Sequence, residues 1–205
     1  MPKTIIYIDG QNFLYKVSER LISANLISDK QDIYSFDITG LLKPFFPDEN
    51  LEIRYYGVKR IYHSSELSEE DLKKAERFSD SLRRFKNYLN KNNVIYVPKG
   101  SLKMRADEGC KNCGFVEYHF QEKGVDVGIA IDLIRDAITK QCDKIVLVSS
   151  DTDLLPAVQI IKSENINFTY ISFSNQTTIS LAKAADNHII LKDEKIREAF
   201  ITSFN

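Results

Sequence analysis

The chain alternates short apolar runs with stretches in which apolar residues recur at helical spacing. Short, β-branched, apolar runs predict buried strands, and recurrence on one helical face predicts amphipathic helices. The predicted strands cover residues 3–9, 51–62, 94–97, 144–149, 167–171 and 188–191. The predicted helices cover residues 13–24, 37–46, 72–92, 124–140, 154–164 and 177–185, with a further helix from residue 192 onward.

Strands that alternate with helices favour a mainly parallel sheet with helices on both faces. We therefore predict an α/β fold, a three-layer α/β/α sandwich, in which residues 1–205 form a single domain. One segment departs from the pattern, because residues 100–121 are polar and carry a C-x-x-C pair. This segment predicts an irregular excursion or a hairpin within the same domain.

Composition limits the classes of partner. The net charge is −1, so the chain as a whole does not attract nucleic acid, and any binding of RNA needs a local basic patch or a bound metal. No apolar run is long enough to cross a membrane, and the amino terminus lacks the cleavage region of a signal peptide. We therefore expect a cytoplasmic protein without a membrane partner. The oligomeric state stays open, a homodimer included.

Acidic residues stand where predicted strands end or helices begin. An apolar strand runs into Asp9, another is followed by Asp151 and Asp153, and Asp126 falls in the first turn of the helix that Gly124 opens. In open parallel sheets, ligands bind beyond the carboxyl ends of the strands. The four carboxylates can therefore converge at one edge of the sheet if the two strands are neighbours.

A single aspartate in such a position commonly caps a helix or forms a turn. Several carboxylates together repel one another, and a divalent cation is the usual means of offsetting that repulsion. The combined pattern favours a metal-dependent hydrolase of phosphate esters, of the nuclease type. By contrast, Asp132 and Asp136 lie further along the Asp126 helix, and they predict a solvated or salt-bridged face with Arg135.

Three motifs carry a family resemblance. Ile8-Asp9-Gly10-Gln11-Asn12 resembles the opening motif of NYN domains, the PIN-like nuclease group that includes the LabA-like proteins. Glu122 to Val127 resembles the second motif, and Val148 to Leu154 resembles the third, with Ser150 where a glycine is common. A weaker tail motif ends at Asp186, which is either an accessory acid at the same edge or a turn-capping residue.

The resemblance implies a PIN-like fold and Mg²⁺- or Mn²⁺-dependent ribonuclease chemistry. By position, it makes Asp9, Asp126, Asp151 and Asp153 the metal-binding and catalytic acids, with Asn12 as a catalytic polar partner beside them. Such a cation activates water and neutralises charge on a phosphodiester. One or two ions, endo- or exo-cleavage, and the natural RNA are not decided by the sequence.

Basic and aromatic residues flank the acidic positions and suggest contacts with single-stranded RNA. Phosphate contacts combined with base stacking are typical of single-strand binding, although a solvated basic loop fits the same pattern equally well. The predicted substrate contacts are Lys99, Lys103, Arg105, Lys123, Ser149 and Thr152.

Cys110 and Cys113 form half of a zinc-binding pattern, and His119 is a third candidate ligand. Structural zinc sites usually have four protein ligands, and no fourth is evident here, so we favour a loop without zinc. Cys142 precedes an apolar strand and is expected to be a small buried residue.

Two other functions remain open. An RNA-binding or partner-binding module can hold a metal in an acidic pocket and turn over slowly or not at all. A metal-dependent phosphatase also uses strand-end acids, but the dehalogenase-type enzymes place a second aspartate where this chain has Gln11. No P-loop and no Gly-x-Gly-x-x-Gly motif is present to support a nucleotide cofactor.

Overall fold

A wholly parallel six-stranded sheet forms the centre of the fold in the computed structural model, which describes residues 3–29, 33, 36–59, 61–62, 69–106, 113 and 118–202. Its strands are β1 (Lys3–Asp9), β2 (Asn50–Val58), β4 (Val94–Lys99), β7 (Lys144–Val148), β8 (Asn167–Phe173) and β9 (Asn187–Leu191), in the spatial order β4-β2-β1-β7-β8-β9. A second sheet contains β3 (Ile61–Tyr62), β5 (Ser101–Ala106) and β6 (Tyr118–Lys123), in the order β3-β5-β6.

Helices cover both faces of the central sheet. They are α1 (Gly10–Ser23), α2 (Ile38–Leu42), α3 (Glu69–Lys91), α4 (Val125–Ile138), α5 (Leu155–Ser163), α6 (Ile179–Ala184) and α7 (Asp193–Thr202), with 3-10 turns at Lys43–Phe45 and Thr152–Leu154. Helices α1, α2 and α7 share one hydrophobic core, whereas α4, α5 and α6 share the other. The predicted three-layer α/β/α sandwich is confirmed.

Alternation along β1 explains why there are two cores. Ile6 and Ile8 point to the core under α1, while Ile5 and Tyr7 point to the core under α4. All four are fully buried, and each large apolar side chain removed from water contributes about 1.5–3 kcal/mol. The same alternation directs Asp9, two residues beyond Tyr7, toward the α4 side.

Strand β1 lies at the point where the direction of strand order reverses. The chain runs from β1 to β2 and β4 on one side, and later returns to β7, β8 and β9 on the other. In open α/β sheets, such a switch point leaves a crevice at the carboxyl ends of the strands. Asp9 ends β1, and residues 149–151 follow β7, so both lie at this crevice.

One predicted segment differs from the structure, and for another the structure decides between two alternatives. The predicted strand over residues 51–62 is two strands, β2 in the central sheet and β3 in the small sheet. The polar segment over residues 100–121 contributes an antiparallel hairpin, in which Ser101 pairs with Lys123 and Ala106 with Tyr118. The hairpin alternative is therefore correct.

Of the two alternatives for Asp132 and Asp136, the solvated face is wrong because both side chains are buried, and the salt-bridged face is correct. Their predicted ion pairs with Arg135 are present, at 2.9 Å and 3.0 Å. Asp136 also accepts hydrogen bonds from Arg54 and from the hydroxyl of Tyr7. These partners come from β1 and β2, and they satisfy the buried carboxylate as burial requires.

Candidate metal centre

Asp9 is held by two hydrogen bonds at the carboxyl end of β1. Its Oδ1 accepts from the backbone N–H of Asn12, which makes Asp9 the N-cap of α1. Its Oδ2 accepts from the hydroxyl of Ser149 at 2.8 Å. The side chain is buried, so it is fixed in one orientation with lone pairs remaining on both oxygens.

Asp151 follows β7 and caps the next turn. Its Oδ1 accepts from the backbone N–H of Asp153 at 2.9 Å, and its own N–H donates to the hydroxyl of Ser149. Ser149 therefore connects Asp9 and Asp151 through one oxygen atom. Its side chain is buried and engaged on both sides, an arrangement that positions the two aspartates, and the substrate contact predicted for Ser149 stays a prediction.

Two glycines determine where α4 begins. Gly124, the N-cap of α4, has φ +83°, and Gly100 has φ +55°, a backbone region that residues with a side chain rarely adopt. A Cβ on Gly100 would lie 2.2 Å from the carbonyl oxygen of Lys123, so the chain crosses itself closely here. This crossing places Asp126, in the first turn of α4, beside the ends of β1 and β7.

The carboxylates of Asp9, Asp126 and Asp151 converge. One oxygen atom from each lies within 4.8 Å of the other two, which is close enough for all three to ligate a single ion. We call these residues the aspartate triad. Among the described residues, no lysine or arginine forms an ion pair with any member of the triad. The oxygen-only donor set fits Mg²⁺ or Mn²⁺.

Burial and mutual repulsion oppose the ionisation of two members of the triad. Burial, together with the charges of Asp126 and Asp151, raises the pKa of Asp9 to about 6 despite the hydrogen bonds from Asn12 and Ser149. Burial and the charges of Asp151 and Asp153 also raise the pKa of Asp126. The raised pKa values of Asp9 and Asp126 mean that ionising these two carboxyl groups is unfavourable without a counter-charge, which a divalent cation would supply.

Asp153 lies beside the triad without joining it. It is exposed, and the group of oxygens within 4.8 Å contains Asp9, Asp126 and Asp151 only, as far as the described residues extend. Its charge nevertheless contributes to raising the pKa of Asp126. The metal-ligand role predicted for Asp153 stays a prediction.

Asn12 joins α1 to the loop after β7. Its Nδ2 donates to the Ser150 hydroxyl at 2.7 Å, and its Oδ1 accepts from the Ser150 backbone N–H at 3.2 Å. Both ends of the amide are therefore used to hold the loop that carries Asp151. Asn12 also lines the open pocket at the triad, so positioning the loop is compatible with contact to a ligand.

The residues predicted to contact RNA lie in different environments. Lys99 is tied to Asp132, with its Nζ 3.0 Å from the carboxylate. Lys103, Lys123 and Thr152 are exposed, and the backbone of Arg105 lies in β5 opposite His119. The side chains of Arg105 and His119, and all of Cys110, lie outside the described part of the chain, so the zinc hypothesis does too. Cys113 is exposed and Cys142 is buried.

Three residues at the site were not predicted. Lys16 and Tyr15 line the pocket of about 470 Å³ that contains the triad, and they follow Asn12 on α1 by one helical turn. Glu122 is half-buried, and burial together with the charges of Asp9 and Asp126 raises its pKa to about 7. The sequence offered one signal for Glu122, which is its charge at a position near the end of a strand and four residues before Asp126.

A second cavity, of about 200 Å³, adjoins the triad. Aromatic and aliphatic side chains form most of its wall, and Gln11 and Glu122 are among its polar lining residues. Gln11 lines this cavity and the triad pocket as well, so the two are neighbours that share a wall at this residue. We call it the aromatic cavity, with walls formed by Tyr55, Tyr96, Phe78, Phe85 and Leu82.

Asp186 lies at the opposite edge of the sheet. It accepts from the backbone N–H of Phe168, near the amino end of β8, and pairs with Lys162. The alternative of an accessory acid at the triad is therefore wrong, and the turn-capping alternative is correct.

No described helix is both long and apolar enough to cross a bilayer.

Comparison with known proteins identifies the family. The NYN domain model matches residues 3–192. The chain is 26% identical over 175 residues to 6-hydroxy-3-succinoylpyridine 3-monooxygenase HspA of Pseudomonas putida, an alignment that covers 78% of this chain and 56% of HspA. It is 31% identical over 75 residues to the low amplitude and bright protein LabA of Synechococcus elongatus, covering 37% of this chain and 39% of LabA.

The chain thus matches about half the length, or less, of these two relatives. Among solved structures, VPA0982 of Vibrio parahaemolyticus superposes with a TM-score of 0.54 over 94% of each chain, at 21% identity, which shows a common fold. The partial match to LabA agrees with the LabA-like branch. Because the family model extends over almost all of the sequence, the chain belongs to the NYN domain family.

Proposed function

We propose that this chain is a Mg²⁺- or Mn²⁺-dependent ribonuclease that cleaves phosphodiester bonds within single-stranded RNA. The observation that carries the proposal is the aspartate triad, three converging carboxylates at a topological switch point, none of them in an ion pair with a lysine or arginine among the described residues. Membership of the NYN family, within the PIN-like nuclease group, supports the same chemistry.

The residues divide into ligands and positioning groups. Asp9, Asp126 and Asp151 would hold the cation, which would supply an activated water and neutralise charge on the phosphate. Ser149 fixes the orientation of Asp9, and Asn12 fixes the loop that carries Asp151. Asp153 lies next to the triad, where it can accept a hydrogen bond from a water molecule on the ion.

RNA would enter from the open pocket at the triad. Lys16 lies on this pocket and supplies a positive charge that can contact a phosphate flanking the scissile bond. Tyr15 is 49% exposed on the same helix, with Lys16 Nζ 5.5 Å from the centroid of its ring, so the two side chains together would meet the strand. Lys103, Arg105 and Lys123 on the β5–β6 hairpin extend the proposed path for the strand.

The relationship to HspA raises a second candidate function. The name of that relative describes oxygenation of a substituted pyridine, and the aromatic cavity beside the triad suits a small heteroaromatic ring. Oxygenation of this kind requires molecular oxygen and two electrons from a reductant. The second candidate is therefore an enzyme acting on a small heteroaromatic substrate, distinguished by activity on free ring compounds without RNA cleavage.

The decisive assay follows cleavage of an end-labelled linear RNA and a circular single-stranded RNA with Mn²⁺, Mg²⁺ or a chelator. We expect cation-dependent cleavage of both substrates and at least a hundredfold loss in Asp151→Asn. The matched control is Asp80→Asn, which changes an exposed aspartate on α3 and should leave the rate unchanged.

Each alternative function has its own outcome. Cleavage of the linear but not the circular RNA would replace endonuclease with exonuclease action. Hydrolysis of p-nitrophenyl phosphate without RNA cleavage would establish a phosphatase. RNA binding without turnover in any cation would establish a binding module and overturn the proposal.

A further inference from the structure

The aromatic cavity lies next to the pocket that contains the aspartate triad. Gln11 lines both spaces, and Glu122 lines the cavity while its carboxylate lies close enough to sense the charges of Asp9 and Asp126. A ligand held at the triad can therefore extend into the cavity. In that case the group in the cavity and the group at the cation would be parts of one molecule.

The walls of the cavity suit a flat ring. The rings of Tyr55 and Tyr96 stack with an interplanar angle of 23°, and Phe85 meets Tyr55 edge-on at 5.1 Å. The hydroxyls of both tyrosines are bonded to backbone carbonyls, those of Gly10 and Val58. The rings are therefore fixed in position with their apolar surfaces presented as walls, as in preformed ligand sites.

The backbone beneath the cavity is closely packed. A Cβ on Gly10 would lie 2.2 Å from the carbonyl oxygen of Tyr56, and a Cβ on Gly57 would lie 2.5 Å from the hydroxyl of Tyr96. Neither position can carry a larger residue without displacing a wall. The cavity is thus bounded by a rigid floor formed by the carboxyl end of β2 and the start of α1.

The polar groups at the cavity are suited to a heterocycle. The amide of Gln11 offers a donor and an acceptor, and the carboxylate of Glu122 accepts from ring or amino N–H groups. Lys16 lines the acidic pocket, and Lys86 has its Nζ 4.4 Å from the centroid of the Tyr96 ring in the cavity wall. A phosphate would bind the cation at the triad, and the largely apolar lining of the cavity suits a ring.

We propose that the aromatic cavity, bordered by Gln11 and Glu122, receives the base of the nucleotide adjoining the bond that the triad cleaves. The proposal rests on the ribonuclease function proposed above and gives it a substrate geometry. One nucleotide places its phosphate at the cation and its base, splayed from the strand, between the aromatic walls. Stacking of this kind tolerates any base, whereas Gln11 and Glu122 orient the ring.

The test measures binding, so it is separate from catalysis. An RNA trinucleotide with 2-aminopurine at the central position is titrated with the unchanged protein in Ca²⁺, an oxygen-preferring cation used in place of Mg²⁺ or Mn²⁺ to hold the phosphate while slowing cleavage, and its fluorescence is recorded. A second trinucleotide lacks the central base and competes for the same site. We expect quenching of the 2-aminopurine on binding, and an abasic competitor at least tenfold weaker than the intact trinucleotide.

A pair of variants on α3 locates the base. Leu82 lines the cavity and is half-buried, so Leu82→Trp fills the space. Leu72 lies on the same helix, is 42% exposed and does not line the cavity, so Leu72→Trp is the matched control. We expect at least tenfold weaker binding in Leu82→Trp and unchanged binding in Leu72→Trp.

Two results would overturn the cavity proposal while leaving the ribonuclease intact. One is equal affinity for the intact and abasic trinucleotides, which needs no variant to fold. The other is equal binding by the two tryptophan variants. Quenching and cavity-dependent binding in a protein that cleaves no RNA would instead retain the base site and reject the nuclease.

Discussion

The hydroxyl of Ser149 lies 2.8 Å from Oδ2 of Asp9, and this contact joins the carboxyl ends of two neighbouring strands. The pairing of Ile8 with Val148 places the two residues side by side, and alternation turns both toward α4. The same hydroxyl accepts from the N–H of Asp151. One small side chain therefore determines the spacing of two members of the aspartate triad.

Replacing Ser149 by alanine should weaken cation binding without unfolding the protein. Loss of the hydroxyl leaves Oδ2 of Asp9 without its donor and releases the N–H of Asp151. Removal of groups that orient metal ligands typically costs about 10–100-fold in metal affinity. The measurement is isothermal titration of Mn²⁺, with Ser163→Ala as a control because that hydroxyl is exposed on α5. Equal affinity in Ser149→Ala and the unchanged protein would contradict the positioning role.

The stability that Asp9 contributes to the metal-free protein, measured as the difference from Asp9→Asn, should fall as the pH rises from about 4 to about 7. Because the pKa of Asp9 is raised to about 6 in the folded protein, the folded state binds more protons than the unfolded chain across this range. Asp126 and Glu122 act in the same direction. Thermal unfolding followed by circular dichroism in chelator, at several pH values, measures the slope that these acids contribute.

Mn²⁺ should reverse this loss, and do so more strongly at pH 7.5 than at pH 5. A cation at about a hundred times its Kd stabilises by about 2.7 kcal/mol, and this corresponds to a rise in Tm of about 5–11 °C for a protein of this size. At pH 5 protonation of Asp9 competes with the cation. Asp126→Asn should abolish the response to Mn²⁺, whereas a response of equal size at both pH values would contradict the assignment.

Asp136→Asn should destabilise the fold and leave the metal centre intact. Burial alone would raise the pKa of Asp136, but hydrogen bonds from Tyr7, Arg54 and Arg135 lower it. Removing this charge leaves Arg54 without its main buried partner, at a cost of about 3 kcal/mol. Chemical denaturation measures the loss, and Asp80→Asn, on the surface, should change stability by about 0.5 kcal/mol or less.

The sequence alone predicted the layers and the acidic edge because both follow from local patterns. Apolar runs and helical spacing locate strands and helices, and an aspartate directly after a strand must lie at its carboxyl end. The convergence of Asp9 and Asp151 additionally needed β1 and β7 to be neighbours. That adjacency depends on the order of strands, which becomes visible only in the tertiary structure.

Interactions between distant elements could not be predicted in this way. Asp136 is buried because Tyr7 and Arg54 happen to face it from two strands, and its own helix shows only a charged pair with Arg135. Lys99 was predicted to contact RNA because it is basic and flanks the acidic positions in the sequence. In the structure its Nζ forms an ion pair with Asp132. Local spacing does not reveal which opposite charge a folded chain brings to each side chain.

The most direct test of the account is anomalous diffraction from crystals soaked in Mn²⁺ at the concentration that supports RNA cleavage. We predict an anomalous peak within coordinating distance of Asp9, Asp126 and Asp151 together, with no comparable peak in crystals of Asp151→Asn. The central claim would be contradicted if crystals soaked at a Mn²⁺ concentration that supports cleavage showed no anomalous density among these three carboxylates.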